Sequence, residues 1–95
     1  MPEFRILLTT VATEADAADL ASTLVGERHA ACVNILPPMR SIYRWQGVVE
    51  STTECQMIVK TTKGGVAAAI ARIEDLHAYE TPEILVLSVE AATQA

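Results

Sequence analysis

Residues 30–62 read AACVNILPPMRSIYRWQGVVESTTECQMIVKTT, and the order of breaks in this stretch decides the fold. Ala30–Leu36 is apolar and strand-like until Pro37-Pro38 removes two ladder donors, so the strand must bend there or lie at a sheet edge before it resumes at Arg40–Gln46. Gln46-Gly47 is a turn between Tyr43-Arg44-Trp45 and the long run Val48–Thr62, which makes the middle of the chain one extended β-hairpin. In the returning arm Cys55, Met57 and Val59 point one way while Glu54, Gln56, Ile58 and Lys60 point the other, giving one apolar and one mixed face.

Upstream, FRILLTTV at Phe4–Val11 has the near-continuous apolar character of a buried strand. Thr13 offers a hydroxyl N-cap with Asp16 three residues on, and Ala17, Leu20, Ala21 and Leu24 recur on one helix face that can stop at Gly26. Downstream of Gly64-Gly65, the spacing of Val66, Ala69, Ile70, Ile73 and His77 predicts a second helix. Thr81-Pro82 blocks its continuation before the last strand, Glu83–Val89. The order βαββαβ is the ferredoxin-like α+β plan, a four-stranded antiparallel sheet with two helices on one face, here with a long hairpin joining the second and third strands. All of residues 1–95 form a single domain, since a chain this short cannot close two cores. A hairpin that outruns its own helices leaves unpaired backbone groups, so self-association is expected.

Composition narrows the functional classes. Seven basic residues against twelve acidic give a net charge of −5, and the basic ones are scattered from Arg5 to Arg72, which argues against nucleic acid as a partner. The longest apolar run, Val66–Ala71, is two-thirds alanine and far short of the roughly 20 residues of a bilayer span. Met1-Pro2-Glu3-Phe4-Arg5 has no basic segment leading into an apolar one, so a cytoplasmic location is expected. Cys32 and Cys55 are too few for a disulfide framework and lie in apolar strand-like surroundings, where burial is expected for both.

Metal-ligating residue types are present without a metal-binding spacing. Cys32, Cys55, Met39 and Met57 suit a soft ion such as copper(I), His29 and His77 suit copper or zinc, and Glu80 and Glu83 add carboxylates, but there is no Cys-x-x-Cys or His-x-x-x-His. His77, at the carboxyl end of the second helix, has three open roles: capping carbonyls, packing inward, or facing a cleft between subunits. Tyr43, Trp45, Lys60, His77, Tyr79, Glu80 and Glu83 come together only if the hairpin of one subunit leans on the last-strand entry of another. They then form either a pocket for a cation or small polar ligand, or an interface anchored by Tyr43 and Trp45. Catalysis is disfavoured. Ser41 and Ser51 have no neighbouring histidine, and Thr10-Val11-Ala12-Thr13 lacks the glycine and arginine of the phosphate loop that acylphosphatases of this size and fold use. The aromatic strand pairs on which an RNA-recognition domain stacks bases are also missing.

Ala30-Ala31-Cys32-Val33-Asn34, Ser41-Ile42-Tyr43-Arg44-Trp45-Gln46-Gly47, Lys60-Thr61 and His77-Ala78-Tyr79-Glu80-Thr81-Pro82-Glu83-Ile84 resemble, in order and spacing, the motifs of the CutA divalent-cation tolerance proteins. The resemblance runs from about Ile6 to about Val89. It implies a ferredoxin-like homotrimer joined through sheet edges, linked to tolerance of copper and other divalent cations and, in animal relatives, to membrane anchoring of acetylcholinesterase. Two departures stand out. The family's His-Pro-Tyr is His77-Ala78-Tyr79 here, and where some bacterial members carry a cysteine near the end of strand one and a doubled histidine, this chain has Thr9 and Leu76-His77. The sequence also stops at Ala95, before a Tyr-Leu-x-Trp-like ending common in the family. The expectation is therefore a non-enzymatic homotrimer taking copper, another divalent cation or a small ligand at intersubunit clefts. Tyr43, Trp45, Lys60, Tyr79, Glu80 and Glu83 would line the cleft, and His77 and Cys32 would be the metal ligands. The alternative is a structural or signalling trimer, a metabolite sensor or protein-anchoring scaffold, with only an indirect link to metals.

Overall fold

The computed structural model describes residues 3–93; Met1-Pro2, with which the leader reading begins, and the chain end at Gln94-Ala95 lie outside the described residues. The elements are β1 (Phe4–Val11), α1 (Glu14–Gly26), β2 (Cys32–Ile35), β3 (Met39–Trp45), β4 (Val48–Thr62), α2 (Val66–Leu76) and β5 (Ile84–Ser88), with a short 3-10 turn over Lys63–Gly65 leading into α2. This is the expected mixed α+β order with one refinement. Pro37-Pro38 divides the second strand in two, so the antiparallel sheet has five strands. Its core order is β2-β4-β1-β5, and β3 pairs with the outer half of β4.

Local chemistry accounts for the boundaries. The Thr13 hydroxyl accepts from the Asp16 amide at 3.1 Å, satisfying one of the free donors at the start of α1. At the other end the amide of His29 bonds to the Leu24 carbonyl at 2.8 Å and that of Arg28 to Val25 at 3.1 Å, a Schellman closure that places Arg28 at φ 64°. The hairpin turns on Gln46 at φ 49° and Gly47 at φ 80°, the doubly left-handed geometry whose twist matches that of the flanking strands.

The pleat sends alternate residues to opposite faces of the sheet. On the helix side Leu7, Thr9, Val11, Cys55, Met57 and Val59 are buried against Ala17, Leu20, Leu24, Ala69 and Ile73. Each fully buried large aliphatic contributes roughly 1.5–3 kcal/mol. Arg72 of α2 holds α1 in place with a two-pronged bond to Glu27, at 2.8 and 3.0 Å, and also reaches Asp75 at 2.7 Å.

Cys32 departs from expectation: it is exposed, whereas Cys55 is buried as anticipated. The reason is register. Val33 pairs with Val59 on the helix side, which turns its neighbour Cys32, opposite Lys60, to the other face.

Candidate functional site

A network of polar contacts joins the end of β1, the end of α2 and the middle of β4. His77 leaves α2 with extended backbone while its own N–H still bonds to the Ile73 carbonyl at 2.8 Å. Its Nε2 lies 2.7 Å from the carbonyl oxygen of Thr10, and its Nδ1 lies 3.0 Å from the Tyr79 amide nitrogen, which donates. The rings of His77 and Tyr79 stand 4.7 Å apart, tilted by 45°. The Tyr79 hydroxyl then donates to Glu54 Oε2 at 2.7 Å, and burial together with that carboxylate pushes the phenol up to about 12. Nearby, the Gln56 side-chain amide donates to the carbonyls of Thr9, at 2.9 Å, and Met57, at 3.1 Å, tightening the same end of the sheet. A cavity of about 180 Å³ opens beside this network, and Asp16, Asp19, Leu20, Leu76 and His77 are among the residues that line it.

The other expected site residues distribute around this point unevenly. Tyr43 and Trp45 are 41% and 60% exposed on the hairpin, paired with Glu50 and Val48 on the face that also carries Glu54. Tyr43 is close enough to Tyr79 to help raise its phenol. Glu80 and Glu83 are exposed on the segment between α2 and β5 and make no ion pair among the described residues. Lys60 lies at the far end, exposed between Ile6 and Cys32, six residues from Glu54 and so about 20 Å along the strand. Within one chain, then, Tyr43, Tyr79 and the strand-five entry share one end of the molecule, and Lys60 and Cys32 share the other.

His77 and Cys32 do not meet in a single chain. Thr10, which the imidazole touches, pairs with Gln56, whereas Cys32 pairs with Lys60, about 13 Å further along β4. Of the remaining candidates, His29 sits 3.4 Å from Glu27, Met57 is in the core, and burial and the charge of Glu14 push the Cys55 thiol up. No group of three or more His, Cys, Asp or Glu side chains converges among the described residues. Sequence reasoning missed Glu54, Thr10 and Gln56. Glu54 is 25 residues from Tyr79, and only the register of β4 against Met39 places it at the base of the hairpin.

The sheet face away from the helices carries an apolar patch that is uncovered among the described residues. Ile6 pairs with Leu87, and Leu8 with both Leu85 and Ile58, so these five side chains form one patch; Leu85 and Leu87 are 50% and 45% exposed. The outer edge of β5 is also unpaired among the described residues. No helix among the described residues is long and apolar enough to cross a membrane.

Comparison with known proteins places these features in context. The profile of the CutA1 divalent ion tolerance protein family matches residues 5–95. The divalent-cation tolerance protein CutA of Salmonella newport (strain SL254) is 44% identical over 89 residues, which cover 94% of this chain and 77% of that protein. Among solved structures, the divalent cation tolerance protein Cut A1 of Thermus thermophilus superposes with a TM-score of 0.92 at 42% identity, over 96% of this chain and 88% of that one. The periplasmic divalent cation tolerance protein CutA of Archaeoglobus fulgidus superposes with a TM-score of 0.92 at 32% identity, over 96% and 88%.

Proposed function

The chain belongs to the CutA1 divalent ion tolerance protein family, and from that premise we propose that it works as a cytoplasmic, non-enzymatic homotrimer contributing to divalent-cation tolerance. The observation that carries the assembly is the uncovered patch of Ile6, Leu8, Ile58, Leu85 and Leu87 on a chain whose other sheet face is already filled by helices. An apolar patch on a sheet face flanked by an open edge strand marks a surface that another chain covers. A second copy covers it with the same chemistry, and closed rings satisfy every such face.

Assembly also gives the scattered site residues a common location. The end of one subunit that holds Tyr43, Tyr79, Glu80 and Glu83 would face the next, with Trp45 exposed on the same hairpin, so the cleft between subunits would have aromatic walls and carboxylate oxygens. Oxygen donors suit a hard divalent cation or the amine of a small polar ligand. Lys60 enters such a cleft only from a neighbouring chain. A second reading, a structural or signalling trimer with an indirect metal link, is favoured by one observation: both ring nitrogens of His77 already have main-chain partners.

Native mass spectrometry before and after adding copper or zinc tests both. A species at three times the 10.2 kDa chain mass is expected, converted to monomer by Leu85→Lys on the apolar patch. One metal per chain, lost in Glu80→Gln/Glu83→Gln, supports the cleft site. A trimer that stays metal-free favours the scaffold or sensor, and a monomer at micromolar concentration overturns the proposal.

A further inference from the structure

His77 is where family resemblance would first look for a metal ligand, and its surroundings say otherwise. A carbonyl oxygen only accepts, so the contact with Thr10 at 2.7 Å requires the ring proton on Nε2. That leaves Nδ1 with the one in-plane lone pair of the imidazole. A histidine that donates one N–H to a backbone carbonyl and presents its other nitrogen to an ion is the usual metal-ligand arrangement. Here the place of the ion is taken by the main-chain N–H of Tyr79, 3.0 Å from Nδ1. No second donor makes up for this: Cys32 lies about 13 Å along the strand from the level of Thr10, Leu76 stands at the preceding position, and no cluster of three ligating side chains forms among the described residues. The residues present do not fit a histidine-ligated metal within the chain.

We infer that His77 is a positioning residue rather than a ligand: a two-ended clasp that ties the segment after α2 to the end of β1. The clasp acts through Tyr79. With its amide fixed on Nδ1 and its ring packed against the imidazole at 4.7 Å, Tyr79 is aimed at Glu54, and the entry to β5 is thereby set against the base of the hairpin. The same end of the chain carries the proposed cleft residues, but the inference stands on contacts within one chain and does not depend on the trimer or on what the cleft binds.

The clasp and ligand roles separate in His77→Gln, because glutamine keeps one donor and one acceptor at similar reach while losing the imidazole lone pair. In the wild-type protein, nitrogen-15 spectra of the His77 ring should show the Nε2–H tautomer, unmoved by zinc up to one equivalent per chain. Zinc uptake by calorimetry should be the same in wild type and His77→Gln. Hydrogen exchange at the Tyr79 amide should accelerate tenfold or more in His77→Ala and return most of the way to the wild-type rate in His77→Gln. Saturable movement of the ring nitrogens with zinc, or zinc uptake lost in His77→Gln, overturns the inference, as does a Tyr79 amide whose exchange is indifferent to His77→Ala. If the alanine variant does not fold, the ring spectra and the glutamine variant decide the question.

Discussion

Thr9→Val should make the protein more stable. Thr9 is 1% exposed, lies on the helix side of β1 between Leu7 and Val11, and pairs with Met57 on one flank and Ile84 on the other. Its hydroxyl finds no hydrogen-bond partner among the described residues, so the residue carries a buried polar atom into an apolar layer. Burying a hydroxyl without a partner costs about 1–3 kcal/mol. Valine has nearly the same shape, keeps the β-branch that suits a strand, and puts a methyl group where the oxygen was, for which full burial contributes about 0.8 kcal/mol. Taking the low end of the first figure, because denatured chains already shelter part of their surface, the gain is about 1–2 kcal/mol. Urea denaturation of wild type and variant at one fixed chain concentration is the assay, since mass action shifts the midpoint of any oligomer. The midpoint should rise with no change in slope, and Thr9→Ser, which keeps the hydroxyl and loses the methyl, should fall by about 1 kcal/mol. A neutral or destabilising valine would refute the reasoning, because it would mean that the hydroxyl is bonded in solution.

Two further outcomes follow from single contacts. Tyr79 is pushed from an ordinary value of 10.0 up to about 12 by burial and by its bond to Glu54, so the folded state favours the protonated phenol. That stabilisation is complete below pH 10 and is lost as pH rises towards 12; the gap in denaturation midpoint between wild type and Tyr79→Phe should therefore narrow over this window, and the phenolate absorbance at high pH should fall from that of two tyrosines to that of Tyr43 alone. Arg28→Gly should raise stability by about 0.5–1 kcal/mol, because Arg28 sits at φ 64° in the closure of α1, where a side chain costs roughly 1–2 kcal/mol and glycine's extra freedom when unfolded offsets part of the relief. Thermal melting at fixed chain concentration reads the shift, and no increase would mean that the Arg28 side chain makes a compensating contact.

Much of the fold was legible because it rests on short-range chemistry. Thr13 caps α1 by a bond to an amide three residues away, Gln46-Gly47 turns the hairpin, and the alternation of Cys55, Met57 and Val59 fixes which face of β4 is buried. The candidate site was half legible. Tyr43, Tyr79 and the strand-five entry do share one end of the chain, but Lys60 and Cys32 sit at the other, and the partner that fixes Tyr79, Glu54, is brought to it by strand register alone.

Element order, the helix cap, the hairpin turn and the inner face of the sheet are written in the amino-acid order, since each depends on backbone preferences and periodicity within a few residues. Long-range packing, by contrast, turns Cys32 outward, merges Ile6, Leu8, Ile58, Leu85 and Leu87 into one patch, and commits both nitrogens of His77 to Thr10 and Tyr79. Those outcomes turn on pairings between residues up to 81 positions apart, Ile6 with Leu87 among them, and on the direction of single lone pairs. Periodicity carries no information about either, because a one-residue change of register moves every side chain of a strand to the opposite face.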